Sequence, residues 1–528
     1  MLERTAAPAP ATVNTARPTP GGGAGPATIA TTGLMLFALF FGAGNLVFPP
    51  VLGASAGAHL PAVLVGFLAT GVVAPLAAVV AVSTSGEGIV GLARRVGPRF
   101  GALMPLAVYL SIGPLYAVPR VATVSYELAI RPLLGLAGVD AGHWALPAHA
   151  AVFFTASVAV AARPSHLADT IGRWLTPALL ALIAVLCTVV VASQPVVTRP
   201  AAPDYAAAPV AIGLTRGYLT MDVLAATVFG IVVITTLHGR GLRTPRAVVR
   251  ATAASGALAA GLLAAVYVGL ALIGERTPGA ADDGTALLRA AAARALGDWG
   301  VVIFAAIVLL ACLTTSVGLL SAWAGYATAA LPALPVPARL RPHAQLLAGA
   351  VISFGLANLG LRAMIAVITP VTLLLYPVAI TLVLVALIDA VAPGHLRAAY
   401  RVPVGVAGLL GLVAALAGFG VDAPAQLLAA TGHWNDTTGW ILPTLVAGAL
   451  GDCCGPALRA LGSHRLRALM EHRLPRGYGH LREFAQGLVS THRPFDYSRG
   501  GLLPVGWGGV RAWRAHPKTG GNPGGTQR

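Results

Sequence analysis

The chain has 528 residues, 56% of them hydrophobic and only 10% charged, and its mean hydropathy of +0.78 excludes an ordinary soluble globular protein. A formal charge of +17 would suit a nucleic-acid binder, but the bases are scattered between apolar runs with no aromatics interleaved, so nucleic acid is not expected as a partner. What remains is an all-α polytopic membrane protein whose immediate partner is the lipid bilayer.

Residues 1–28, rich in Ala, Pro, Thr and Gly, cannot bury a core and read as a disordered tail. They do not have the order of a cleaved signal peptide, in which a short basic stretch precedes an apolar region that ends at small residues. Runs long enough to cross a bilayer, ~20 residues each, then follow at 29–54, 61–83, 102–128, 146–162, 172–193, 217–237, 250–273, 300–328, 344–361, 364–388, 403–420 and 439–454. We number these spans 1 to 12, the fourth being the shortest. An even number puts both termini on one side. With the N-terminus inside, fifteen arginines fall in cytoplasmic segments before the last span and seven in the opposite loops, so both termini are expected in the cytoplasm. Residues 455–528, with twelve basic residues against three acids, read as a basic, solvated cytoplasmic tail.

Span 1 contains FALFFGAGNLVFPP, residues 37–50. Gly42, Gly44, Asn45, Pro49 and Pro50 each weaken a helix at a depth where unpaired backbone groups are costly, so the interruption needs a compensating role. If the helix opens at Gly42–Asn45, the carbonyls ending its first half suit a cation, and the N–H groups starting its second half suit a carboxylate. The structural alternative is a close-packing glycine face. Span 3 carries Arg120 and Glu127, seven residues apart and so near one helical face, and span 6 begins with Asp222 near its outer end. Ionisable groups in a membrane are functional candidates; here they are candidates for coupling or gating, the alternative being that Arg120 pairs with Glu127 or Asp222 to hold helices in register. Span 8 has consecutive hydroxyls at Thr314, Thr315 and Ser316, oxygen donors of the type a hard cation selects; alone they are equally satisfied by bonding back to their own helix. Thr369, Pro370, Tyr376 and Pro377 mark span 10 as a second irregular helix. The four cysteines, Cys187, Cys312, Cys453 and Cys454, show no CxxC spacing and read as small buried residues.

No enzyme is expected, because no His/Asp/Glu cluster with ligand or acid–base spacing lies in the spans. Nor is a nucleotide-driven pump, since the one lysine, Lys518, follows a proline rather than a Walker glycine.

The stretches GLMLFALFFGAGNLVFPPVLG (33–53), GPLYAVPRVATVSYE (113–127), GYLTMDVLAATVFGIVVI (217–234), ACLTTSVGL (311–319) and ITPVTLLLYP (368–377) strongly resemble, in order, the branched-chain amino acid:cation symporters of bacterial inner membranes. The resemblance covers roughly residues 29–454. It implies sodium-coupled uptake of leucine, isoleucine and valine, with sodium as the co-transported cation and no other cofactor or obligatory protein partner. It also implies the amino acid–polyamine–organocation superfamily core of two inverted five-helix repeats, about 29–193 and 217–388, with peripheral helices at 403–454. Helix 6 would then be broken like helix 1, near Ala225–Thr227. By the same resemblance sodium would be held by carbonyls near Ala43 and by Thr314 and Thr315. The substrate carboxylate would rest on N–H groups after Asn45, beside Gly42 and Gly44, and its side chain would lie among Phe40, Phe41, Phe229 and Leu319. Two rivals remain. One is proton coupling through Asp222 or Glu127; the other is an amino-acid-gated channel or sensor.

Overall fold

In lipid each backbone N–H and C=O must bond within its own segment, so apolar runs of this length have little alternative to helix. The structure is a computed structural model that describes residues 24–449 apart from 164–166, 279–282, 333–334, 360, 392–399, 431–433 and 435–437; among these, every regular element is helical. Eight helices are long and apolar enough to cross a membrane, and they are spans 2 (Gly57–Thr84), 3 (Pro98–Leu136), 5 (Leu167–Ser193), 6 (Asp222–Gly239), 7 (Pro245–Arg276), 8 (Asp298–Ala330), 10 (Pro370–Ala390) and 11 (Arg401–Gly418). Span 1 is a ninth if its two bent pieces count as one crossing. Spans 4 and 9 are the shorter helices Ala145–Ala161 and Arg341–Ala357. Span 12 is helical over 441–449, and its remainder, with Cys453, Cys454 and the tail 455–528, lies outside the described residues, as do residues 1–23.

Span 1 breaks where its sequence is weakest. Pro26–Phe40 ends as Gly42 turns extended (φ −102°, ψ 178°), a short 3₁₀ turn covers Ala43–Leu46, and a second helix runs over Phe48–Ser55. The two pieces meet at 79°. Pro49 and Pro50 do not interrupt a helix here. They stand in the first turn of the second piece, where a missing N–H has no helical partner to lose.

Span 6 breaks too, but not near Ala225–Thr227. Its first piece is Pro209–Tyr218, the chain passes through Leu219, Thr220 and Met221, and Asp222–Gly239 then runs unbroken through Ala225–Thr227. Nothing in that tripeptide weakens a helix. Met221, at φ 60°, is the one non-glycine residue with positive φ among the described residues, a conformation that costs of order 1–3 kcal/mol and persists only when its surroundings impose it. Two of those surroundings are visible. The Thr70 hydroxyl of span 2 donates to the Leu214 carbonyl at 2.7 Å, and the Tyr376 hydroxyl of span 10 donates to the Tyr218 carbonyl at 2.9 Å. Both hold the first piece in place.

Span 3 is bent by a π-helical turn at Ser111–Leu115, inside which Gly113 is non-helical (ψ −122°), and Tyr116 follows at φ −141°. A second such turn covers Tyr126–Ile130. Turns of this kind concentrate at functional sites because they re-aim the side chains that follow. Span 7 packs against both pieces of span 1, and span 8 against spans 1, 3 and 6, so the two breaks face a common interior. The described residues all belong to one compact unit, Met1–Ala457.

Between spans 7 and 8 the short helix Gly284–Leu296 is capped by Asp283, whose Oδ1 accepts from the backbone N–H of Thr285 at 2.9 Å and of Ala286 at 3.2 Å. Partial burial pushes this carboxyl up, but those bonds and the Thr285 hydroxyl outweigh it and hold it below the usual carboxylate range. Because the folded value is depressed, the stabilisation is present above the ordinary carboxylate pKa and is lost as pH falls through the depressed one. Asp283→Ala is expected to cost about 1 kcal/mol, and the difference in melting temperature from the parent protein should shrink towards acid pH.

Candidate substrate-binding site

Both interrupted segments border one cavity of about 80 Å³. Its walls come from the break of span 1 (Phe40, Gly42, Gly44, Asn45), the break of span 6 (Thr220, Met221, Asp222), span 3 (Ile112, Tyr116, Arg120) and span 8 (Thr315, Leu319), with Phe229 and Thr372 completing them. One side chain ties the two breaks together. The Asn45 amide nitrogen donates to Asp222 Oδ2 at 2.7 Å and also to the Tyr267 hydroxyl of span 7, and all three residues are buried. Asp222 is the first residue of the second piece of span 6, where a carboxyl meets the positive end of the helix dipole.

The hydroxyl cluster of span 8 lies against the end of the first piece of span 1. Unwinding explains how. In a continuous helix the Gly42 N–H would bond to the Ala38 carbonyl, but here it bonds to the Phe40 carbonyl at 2.8 Å. The freed Ala38 oxygen lies 3.0 Å from Thr314 Oγ1, which also bonds back to its own helix, 3.0 Å from the Leu310 carbonyl and 3.1 Å from that of Ala311. Thr315 Oγ1 is buried without a hydrogen-bond partner among the described residues, as is Ser316 Oγ. A Cβ on Gly42 would stand 3.2 Å from Thr315 Oγ1, so glycine at that position lets the hydroxyl approach the bare peptide. The carbonyl that Thr314 reaches is Ala38's, one turn before the 3₁₀ segment that holds Ala43.

The expected site residues separate accordingly. Phe40 and Phe229 meet edge to face at 5.6 Å and 81°, and with Leu319 they give the cavity its apolar lining. Phe41 points elsewhere, stacking on Phe37 at 5.4 Å and approaching Tyr267 at 6.3 Å. Gly42, Gly44, Asn45, Arg120, Asp222 and Thr315 all line the cavity. Glu127 does not. It pairs with Arg131 at 2.8 Å on an exposed surface, because seven residues of helix carry it about two turns along the axis from Arg120 and so away from the cavity. Sequence reasoning missed Tyr116, whose hydroxyl accepts from Arg120 Nη1 at 3.2 Å, and Tyr267, a polar tip in a long apolar helix. A lone tyrosine in such a run was the available signal, since a buried phenol usually has a partner.

Multiple bilayer-length helices around a small central cavity, with two of them opened at the same place to expose backbone and ionisable groups, define a polytopic membrane transport protein. Comparison with known proteins narrows the class. A profile of the family described as "Branched-chain amino acid transport protein" matches residues 26–456, and the chain belongs to that family. Similar curated proteins include the branched-chain amino acid permease BrnQ of Corynebacterium glutamicum, 41% identical over 80% of this chain and 94% of that one. They also include the branched-chain amino acid transport system 2 carrier protein of Pseudomonas aeruginosa, 36% identical over 82% and 96%, and BrnQ of Bacillus subtilis, 34% identical over 80% and 96%. Among solved structures, the nucleobase-cation-symport-1 family transporter Mhp1 in a closed conformation with bromovinylhydantoin bound is 12% identical over 80% of this chain and 92% of that one, with a TM-score of 0.45.

Proposed function

We propose that this chain carries out sodium-coupled uptake of leucine, isoleucine and valine across a bacterial inner membrane, by alternating access of one central site to the two sides. Both termini lie in the cytoplasm in this reading, and spans 1–5 and 6–10 form two inverted repeats. The observation that carries it is the pairing of an opened helix with oxygen donors. The Ala38 and Ala311 carbonyls and the hydroxyls of Thr314 and Thr315 gather where span 1 unwinds, which is a donor set for a hard monovalent cation. The breaks in spans 1 and 6, five spans apart, support the repeat reading. The apolar lining of Phe40, Phe229 and Leu319 accepts an aliphatic side chain. An apolar wall separates side chains that differ by a methylene by only ~1–3 kcal/mol, so the three substrates compete with one another. At about 80 Å³ the cavity is small beside the ~300 Å³ and more of a typical ligand pocket. Loading therefore widens it, as alternating access requires.

The test is radiolabelled leucine accumulation in proteoliposomes. Accumulation is expected with an inward sodium gradient and not with a pH gradient in sodium-free buffer; the reverse result would replace sodium by protons as the driver. Thr315→Ala should raise the sodium concentration for half-maximal uptake by about tenfold, equivalent to ~1.4 kcal/mol. Unaltered sodium activation would remove Thr315 from the cation site.

A further inference from the structure

Two groups of opposite charge face the same cavity without meeting. Arg120 and Asp222 both line it, yet neither forms an ion pair with the other or with any other described residue. Arg120 has neutral company: its Nη1 donates to the Tyr116 hydroxyl at 3.2 Å, and its guanidinium lies 4.9 Å from the centroid of the same ring. Asp222 accepts from the neutral Asn45 amide. A guanidinium cannot shed its proton in a protein, and a partly buried one beside a carboxyl it does not contact leaves charge-assisted bonds unmade. The arrangement makes sense if the occupant brings the missing charges.

We propose that Arg120 grips the α-carboxylate of the transported amino acid while Asp222 receives its α-ammonium group, so that the site selects a zwitterion over an acid or an amine of the same carbon skeleton. This rests on the reading of the cavity as an amino acid site. Geometry places the guanidinium correctly. Arg120 Nη2 lies 3.8 Å from the point a Cβ on Gly44 would occupy, so no side chain stands between the guanidinium and the opened peptide of span 1. A carboxylate seated there meets a planar fork of donors from one side and the opening turn of the 3₁₀ segment, where helices leave N–H groups without internal partners, from the other. Asp222, tied through Asn45 to the same stretch, lines the cavity at the break of span 6. Arg120 feels the charge of Asp222 across the cavity lining but makes no ion pair with it, and Glu127 is engaged by Arg131, so the guanidinium donors stay free for an occupant.

The experiment compares thermal stabilisation of the purified full-length protein by leucine, by isopentylamine, which is leucine without its carboxylate, and by 4-methylpentanoate, which is leucine without its amine. The parent protein should prefer leucine over each analogue by at least about tenfold. Arg120→Gln should erase the preference over isopentylamine and keep that over 4-methylpentanoate; Asp222→Asn should do the opposite. Equal weakening of all three ligands in Arg120→Gln, or a retained preference over isopentylamine, overturns the assignment. If Arg120→Gln does not fold, Arg120→Lys, which keeps the charge but not the fork, should weaken leucine about tenfold and leave isopentylamine unchanged, and an unchanged leucine response refutes the role. A parent protein that no amino acid stabilises fails at the earlier step, the reading of the cavity itself, and takes this proposal with it.

Discussion

Asn45→Leu is expected to abolish leucine uptake, by a hundredfold or more, and to lower the melting temperature of the purified protein. Leucine has the branched outline of asparagine, though it is bulkier, so the side chain is kept in shape while two hydrogen bonds end at once. The amide is the one described group that touches both the carboxyl of Asp222 and the hydroxyl of Tyr267. Leaving a buried hydroxyl unpaired costs about 1–3 kcal/mol, and a buried carboxyl stripped of its donor costs more. Together these are comparable to the whole margin by which a protein stays folded, roughly 5–15 kcal/mol, so part of the loss must appear as altered geometry at the two breaks. Transport suffers more than stability because the same amide holds the unwound segments of spans 1 and 6 against each other, and the cavity lies between them. Asn45→Asp separates the two effects. It keeps the shape but sets a second carboxyl beside Asp222, so uptake should fall and recover partially when Asp222 is also changed to Asn. Wild-type uptake by Asn45→Leu would show that the bridge between the breaks is incidental.

Much of this architecture was legible in the chain. Twelve apolar runs in lipid have one structural solution, and where they are described a helix covers most of each predicted span, though span 3 runs on to Leu136 and short helices such as Ile89–Val96, Pro209–Tyr218 and Gly284–Leu296 lie outside the predicted spans or largely so. The break in span 1 was legible as well, since Gly42, Gly44 and Asn45 are locally poor helix formers whatever surrounds them. The break in span 6 was displaced because Leu219, Thr220 and Met221 carry no such signal; their conformation is imposed by Thr70 and Tyr376 from spans distant in sequence. The same limit applies to the ionisable residues. Arg120 and Glu127 share a face on an ideal helix, but a shared face says nothing of depth: about two turns of rise separate them, so one lines the cavity and the other reaches Arg131 on an exposed surface. Phe41 was expected beside Phe40 in the substrate pocket, but neighbours on a helix point about 100° apart, and Phe41 stays on the Phe37 face, one turn on, approaching Tyr267.

Gly53→Val and Gly274→Val should each destabilise the protein by at least about 3 kcal/mol, the upper end of what overpacking commonly costs, and in cells should leave little folded protein in the membrane. A Cβ on Gly53 would overlap the Ala271 carbonyl, and one on Gly274 would overlap the Pro50 carbonyl. The second piece of span 1 therefore lies backbone against backbone on span 7, with glycine supplied reciprocally by each helix, the device by which helices approach closely in membranes. Neither obstructing group is a side chain that can rotate aside. The contact also bears on the site: Tyr267, Ala271 and Gly274 are spaced four and three apart and so share one face of span 7, and that face both docks Phe48–Ser55 and receives Asn45. Prising the two helices apart withdraws the Tyr267 hydroxyl from the Asn45 amide. Gly261→Val serves as the control, because Gly261 lies on the same helix, is exposed, and a Cβ there meets nothing within 4 Å. The expected result is a melting temperature near the parent value for Gly261→Val and a large drop for the other two. Equal melting of all three would mean that the close approach of spans 1 and 7 does not hold the opened helix in place.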